Sequence, residues 1–408
     1  MLRTACPTFF LPDFFGSAST RAPFFAGRIR QLAAAFITFG VGCAAEAQPA
    51  AVHGGWSARL ITEVAKVDTD NRAAVGVYVQ DIDTGESASY KADQRWYLAS
   101  MVKVPIAITV MRGIEAGRYT LDTEVTLRAA DYVDGAGTTN NQPVGTPIRI
   151  RQLLEQMIIH SDNTASDVLI DLVGIAEVNN VVAALVPDGF QRITSLSAIR
   201  RMLYGYLVPN ADQLTGQDLV LLNRQRVDGE RLKLLARMTE TPVARFRLPT
   251  LAAAYKTYYA TGLNSGRLDA YGELLRLLAD GKALSPRSTD YLLKLMERVE
   301  TGTHRLKAGL PADVRFAHKT GTQRGRLCDA GLVRVSDAGQ QRRVVIVACT
   351  RDEPSLFRAE LALKQVGTAL CKSGLITRGV VDAPTCSVVP HLVPATAGVA
   401  GTDDTGGT

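Results

Sequence analysis

The sequence has no Cys-x-x-Cys pair, no His-rich cluster and no run of five basic residues. The first two absences leave no metal site at the usual ligand spacing, and none of the motifs below needs a cofactor. The third, together with the lack of a basic–aromatic stripe, argues against nucleic acid as a partner, although the formal net charge is +6. No internal repeat is visible, which excludes a solenoid. The apolar run Leu32–Ala45, 14 residues long, is too short to cross a bilayer comfortably.

That run has a different meaning. Arg21, Arg28 and Arg30 precede it, and Ala45-Glu46-Ala47 follows as a small-x-small site. Basic, then apolar, then small residues mark an export signal over residues 1–47. The expected location is therefore periplasmic or secreted. Removing residues 1–47 takes away four Arg and two acidic residues, leaving a formal charge of +4. About 360 residues remain, enough for one large domain over 48–377. Residues 378–408 are Pro-, Thr- and Gly-rich and read as a disordered tail.

Four cysteines stay in the exported part: Cys328, Cys349, Cys371 and Cys386. In an oxidising compartment they can form two disulfides, Cys328–Cys349 and Cys371–Cys386. The first pairing has a geometric argument. Cys328–Val335 and Arg342–Cys349 read as strands around a turn over 336–341, centred on Ala338-Gly339. Such a turn pairs residues whose numbers sum to 677, and Cys328 then faces Cys349. Two buried free thiols are the alternative.

Along the chain, Ser57–Val67 is an amphipathic helix and Ala74–Ile82 a strand. A turn over 83–86 returns the chain through Ser87–Tyr90. Met101–Ala116 is an apolar helix, with Pro105 early in it. A Gly-, Thr- and Asn-rich loop covers 131–145. Helices follow at Ile150–Ile159 and Thr164–Val173, then at Leu268–Leu278, Ser288–Val299 and Pro354–Leu370. Residues 187–262, with Pro209, Pro242 and Pro249, assign to no clear element. Strands fall at both ends and helices between them. This predicts an α+β fold: a five-stranded antiparallel sheet flanked by helices, with an all-helical subdomain inserted over about 120–310. The active site then belongs at the seam.

Three short motifs carry chemistry. Ser100 and Lys103 stand three apart at the start of a helix, so a hydroxyl and an amine share one face beside the positive helix end. Ser161-Asp162-Asn163 follows 61 residues after Ser100, and Lys319-Thr320-Gly321-Thr322 begins 158 after Ser161. Singly, these read as a cap, a second cap and a strand end. Together they supply what acyl transfer needs. Ser100 is the nucleophile. Lys103 is its base, provided that burial or a neighbouring cation such as Lys319 lowers its pKa. Ser161 carries a proton to the leaving nitrogen, and Asn163 holds the substrate amide or Lys103. Lys319 and Thr320 bind a substrate carboxylate, and Gly321 lets substrate approach the strand. The N–H groups of Ser100 and Thr322 form an oxyanion hole.

Ser-x-x-Lys, Ser-Asp-Asn and Lys-Thr-Gly in this order resemble the motif set of class A β-lactamases and penicillin-binding proteins. The resemblance spans about 73–370. It implies the same sheet-plus-helices fold and an acyl-enzyme on Ser100, formed with a β-lactam or an acyl-D-Ala-type amide. It also implies an arginine carboxylate anchor, for which Arg324 and Arg326 stand after the motif, and an aromatic gate, for which Tyr132 is placed. The expected protein is a monomer acting on a small molecule.

One family feature is missing. Class A enzymes carry Glu-x-x-x-Asn, whose Glu activates the deacylating water. Residues 178–263 contain only Glu230 and Glu240, neither with Asn four positions on. The nearest echo, Asp218 with Asn223, has a shorter acid and one residue too many. Three readings follow: a β-lactamase, a D,D-peptidase or esterase with the same acylation apparatus, and a β-lactam binder with little turnover.

Overall fold

The computed structural model describes residues 55–337 and 340–376. Its elements begin with α1 (Trp56–Asp70), β1 (Ala74–Asp81), β2 (Ser87–Tyr90) and β3 (Arg95–Tyr97). A 3-10 turn over Ala99–Val102 leads into α2 (Lys103–Glu115), β4 (Glu124–Thr126) and β5 (Pro147–Arg149). A helical stretch follows: α3 (Ile150–Ile159), α4 (Asn163–Val173), α5 (Ile175–Leu185), α6 (Leu196–Gly205), α7 (Gly216–Arg224), α8 (Asp228–Met238) and α9 (Leu251–Ala260). The chain continues through β6 (Ser265–Arg267), α10 (Leu268–Ala279), α11 (Pro286–Glu297) and α12 (Leu306–Gly309). It closes with β7 (Arg315–Gln323), β8 (Arg326–Asp337), β9 (Gln340–Arg351) and α13 (Leu356–Lys372).

Five strands make one antiparallel sheet in the order β2-β1-β9-β8-β7. The two N-terminal and three C-terminal strands join as anticipated, with β1 against β9. Period-two alternation sorts the sheet onto two cores. Val75, Val77, Val79, Val333, Val344 and Ile346 pack with Leu60 and Val64 of α1 and Leu363 and Val366 of α13. Ala330, Leu332, Val345 and Val347 face the other way, into the core shared with α2, α4 and α10. A one-residue slip of any central strand would turn its valines from one core to the other.

The β8–β9 ladder runs from Arg326↔Arg351 to Asp337↔Gln340, longer than the sequence pattern indicated, and every pair keeps the anticipated register. Cys328 faces Cys349, and the two are disulfide-bonded. Both sulfurs are buried in the core that faces α2. Cys371 is buried on α13, while Cys386 lies outside the described residues, as do segments 1–47 and 378–408. Replacing Cys328 and Cys349 by alanine removes a cross-link across 21 residues of sequence separation. The expected loss is about 3 kcal/mol, read from the urea midpoint under non-reducing conditions.

Two small pairings pin the ends of the helical stretch. β3 pairs with β6 and β4 with β5, each over three residues, too short to show as alternation in the sequence. The Leu98 N–H donates to the Asn264 carbonyl at 3.0 Å. Asn264 is fully buried. It donates from Nδ2 to Thr194 Oγ1 at 2.8 Å and accepts at Oδ1 from the Thr194 N–H at 3.0 Å. The chain therefore departs after Thr194 and returns at Asn264 through one neck. Residues 187–262, unassigned by pattern, hold α6 to α9 within that excursion.

Candidate active site

Ser100 lies within the 3-10 turn, and the α-helix begins at Lys103 rather than at Met101. In a turn of three residues, positions i and i+3 eclipse, so the hydroxyl and the amine stay on one face. The delayed start also resolves Pro105, which falls in the first turn of α2, where its missing N–H costs nothing. Ala99, just before Ser100, has φ of 48°, and Ser161 has φ of 61°. Both are unusual for residues with a Cβ, and both flank the same small space.

The Lys103 ammonium is fully buried and donates three ways: to the Ser161 carbonyl (2.5 Å), to Asn163 Oδ1 (2.7 Å) and to Ser161 Oγ (3.3 Å). Lys319, also fully buried, donates to Ser161 Oγ (3.0 Å) and to the Thr320 carbonyl (3.2 Å). One serine hydroxyl is thus shared by two lysines from different elements. Asn163 holds Lys103 and donates to the Asp134 carbonyl at 2.6 Å. Asp162 caps α4 through the Ala165 N–H (2.8 Å) and accepts from the Thr139 N–H (2.8 Å). The Gly-rich loop closes tightly around these two side chains. A Cβ on Gly137 would sit 2.1 Å from Asp162 Oδ2, and one on Gly135 2.2 Å from Asn163 Nδ2.

Burial pushes the Lys103 pKa down to about 7, with Arg200 adding to the fall and Asp162 and Asp167 opposing it. Lys319, the neighbouring cation the sequence had suggested, is electrostatically linked to Lys103, and Arg200 is a second cation that bears on Lys103. Burial also holds Lys319 well below an ordinary lysine, with Lys103 and Arg305 pushing the same way. Asp329 opposes that fall. It is fully buried on β8 and pairs with His318 at 2.8 Å.

Gly321 has a role other than the one anticipated. A Cβ there would lie 2.3 Å from the Leu98 carbonyl and 3.2 Å from the Ala99 Cβ. The glycine admits the nucleophile's own turn, whatever it does for substrate. β7 is the edge of the sheet, so it offers unpaired backbone groups beside Ser100. Thr320 is buried with its hydroxyl 2.5 Å from Thr301 Oγ1, and Thr322 is exposed.

Arg324 and Arg326 are engaged elsewhere. Arg324 pairs with Asp228 (2.7 Å) and lies over Tyr255, while Arg326 pairs with Asp352 (2.8 Å) and lies over Tyr259. The guanidinium placed at the Lys-Thr-Gly strand is Arg305, which sequence reasoning missed. It is 3% exposed and donates to the Gly321 and Cys328 carbonyls (3.0 and 3.1 Å) and to Thr322 Oγ1 (2.7 Å). It precedes a four-residue helix and carries no motif, so nothing in the local pattern announces it. Tyr132 is no gate: it is buried, and its hydroxyl donates to the Gln142 carbonyl.

Asp167 was also missed. It stands one helical turn after Asn163 and is 6% exposed. It accepts from the N–H groups of Leu196 (2.7 Å) and Ser197 (2.8 Å), fastening the start of α6 onto α4. Asp218, the echo of a missing general base, instead forms a capping box with Thr215 on α7. Among the described residues no cluster of three His, Cys, Asp or Glu is placed to hold a metal ion. A cavity of about 1280 Å³ lies between α4, α5 and the segment 186–202. Asp167, Ser195 and Ser197 line it, but Ser100, Lys103 and Lys319 do not, so it is separate from the catalytic cleft.

Residues 59–373 match the model of the beta-lactamase enzyme family. The chain is 22% identical to beta-lactamase VEB-1 of Pseudomonas aeruginosa over 265 residues, 64% of this chain and 71% of that protein. It is 28% identical to a beta-lactamase of Mycobacterium tuberculosis (strain ATCC 25177 / H37Ra) over 307 residues, 74% and 82% of the two chains. The crystal structure of a beta-lactamase from Sphaerobacter thermophilus DSM 20745 superposes with a TM-score of 0.58 at 25% identity, covering 79% of this chain and 99% of that one.

Proposed function

Because this chain belongs to the beta-lactamase enzyme family, we propose that it opens β-lactam amides through an ester on Ser100 and that release of this ester is the slow step. The observation that carries the reading is the hydrogen-bonded series Lys103–Ser161–Lys319 beside the Ser100 turn. Neutral Lys103 takes the Ser100 proton as Oγ attacks the carbonyl carbon. The N–H groups of Ser100 and Thr322 receive the oxyanion. When the C–N bond breaks, Ser161 gives its proton to the leaving nitrogen and regains one through its lysine contacts. Lys319 and Thr320 put positive charge and a hydroxyl where a substrate carboxylate would lie, and Arg305, itself paired with Glu360 at 3.2 Å, braces that strand.

The slow step follows from where the acids are. The two carboxylates that bear on Lys103, Asp162 and Asp167, are both committed to backbone N–H groups. Neither is free to activate a water. The same commitment supports a second reading, a D,D-peptidase or esterase that uses this acylation centre on an acyl-D-Ala-type substrate. Export is part of the proposal. The segment before residue 48 has the charge and apolar pattern of a signal, and the Cys328–Cys349 disulfide suits an oxidising compartment.

Mixing the protein with a chromogenic cephalosporin, while following colour and intact mass, tests this. The expected result is a stoichiometric burst with a visible adduct, then slow sustained colour. Fast steady colour without an adduct would show that a separate deacylating base is at work. Neither colour nor adduct would overturn the β-lactam assignment.

A further inference from the structure

Basic charge is unevenly placed on this molecule. Residues 224–247 contain seven basic and three acidic side chains, a net of +4 within a chain whose total is +6. Arg224, Arg226, Arg237 and Arg245 are exposed and form no salt bridge among the described residues. Exposed aliphatic side chains stand among them: Leu221 is 42% exposed, Val227 64% and Val243 43%. The core does not need these three, because the same helices bury Leu219, Leu222, Leu232 and Leu235. The arrangement is held in shape. Arg231 donates to the Gln225 carbonyl (2.8 Å) and the Asn223 carbonyl (3.4 Å), locking the end of α7 against the start of α8. Leu221 and Arg224 then share the outer face of α7, with Arg226 and Val227 at the corner.

We infer that this face of α7, α8 and the following turn docks onto an anionic lipid bilayer. Guanidinium groups pair with lipid phosphates, and the three aliphatic side chains enter the boundary between head groups and acyl chains. A soluble polyanion would use the arginines and leave the aliphatics in water, so the mixed composition favours a membrane. No single described helix is long and apolar enough to cross a bilayer. Asp228 at the start of α8 pairs with Arg324 at 2.7 Å, just past Thr322, so the docked face is tied to the rim of the cleft.

The test is co-sedimentation of the full chain with vesicles of phosphatidylcholine containing 30% phosphatidylglycerol, against pure phosphatidylcholine. Two variants accompany it, R224E/R226E/R245E and V227S/V243S. All proteins carry the apolar run 32–45, so differences between them report this face alone. The substituted side chains are exposed and outside both hydrophobic cores, so an unchanged melting temperature and unchanged burst size certify the fold. Wild type is expected to bind the anionic vesicles far more tightly than the neutral ones, whose binding reports the shared apolar run 32–45. The arginine variant should bind at least about a hundredfold more weakly, at about fivefold for each cation lost. The valine variant should bind several-fold more weakly. Equal binding by the arginine variant would overturn the inference. Full retention by the valine variant, with matching affinity for inorganic polyphosphate, would also overturn it by revealing a plain polyanion surface.

Discussion

Ser100→Ala forms no covalent adduct with a β-lactam by intact mass, and its acylation rate falls by about 10⁴-fold or more. The substitution is nearly silent structurally. Ser100 is half-buried, and removing its hydroxyl opens no core cavity, so the melting temperature should stay within about 1–2 °C of wild type. The informative control is Ser161→Ala. Ser161 is the serine that both lysines address, so by contacts alone it competes for the role of nucleophile. If Ser100 carries the ester, the Ser161 variant still forms the adduct, more slowly. An adduct on the Ser100 variant that disappears in the Ser161 variant would exchange the two roles.

Lys103→Ala is expected to slow acylation by about 10²- to 10⁴-fold. Its pH dependence is the sharper measurement. Lys103 acts as a base only when neutral, and burial brings its pKa to about 7. Acylation should therefore rise from pH 6 to pH 8 and then level off. Lys103→Arg keeps the cation and the bulk but cannot lose its proton, and should be as slow as alanine across the range. A second limb belongs to Lys319. Its pKa also lies well below that of an ordinary lysine, chiefly through burial. Raising the pH strips the charge that attracts a substrate carboxylate, so KM should climb as Lys319 loses its proton. A wild-type profile flat between pH 6 and pH 8 would mean that Lys103 is not the base.

The sequence shows what depends on short-range spacing. The hairpin register of β8 and β9 follows from where the turn is centred, and the valines of β1 and β9 alternate as a sheet with two buried faces requires. Ser100, Ser161 and Lys319 were found because each sits in a motif of three or four residues. Arg305 and Asp167 act through contacts across 16 to 30 residues of sequence, and no local pattern encodes a partner at that range. The same limit hid β3 and β6, which exist only because the chain returns beside itself at Asn264. The roles of Gly321 and Pro105 needed the structure for a different reason. One depends on what approaches the strand, and the other on a shift of two residues in where a helix begins.

The neck at Thr194 and Asn264 also bears on how this chain came to have its length. Both ends of the excursion over residues 195–263 are anchored at one point by the Thr194–Asn264 hydrogen bonds, and Asn264 Nδ2 also donates to the Tyr258 hydroxyl of α9 at 2.9 Å. Lengthening a loop whose ends are already fixed costs only about 0.6 kcal/mol per doubling. With α6 tied to Asp167 and α9 packed on Tyr97, descent could therefore vary the stretch of α7 and α8 while β3, β6 and the Ser100 turn kept their places. An engineer could use the same freedom, grafting a foreign helical hairpin in place of α7 and α8 to give the molecule a new surface.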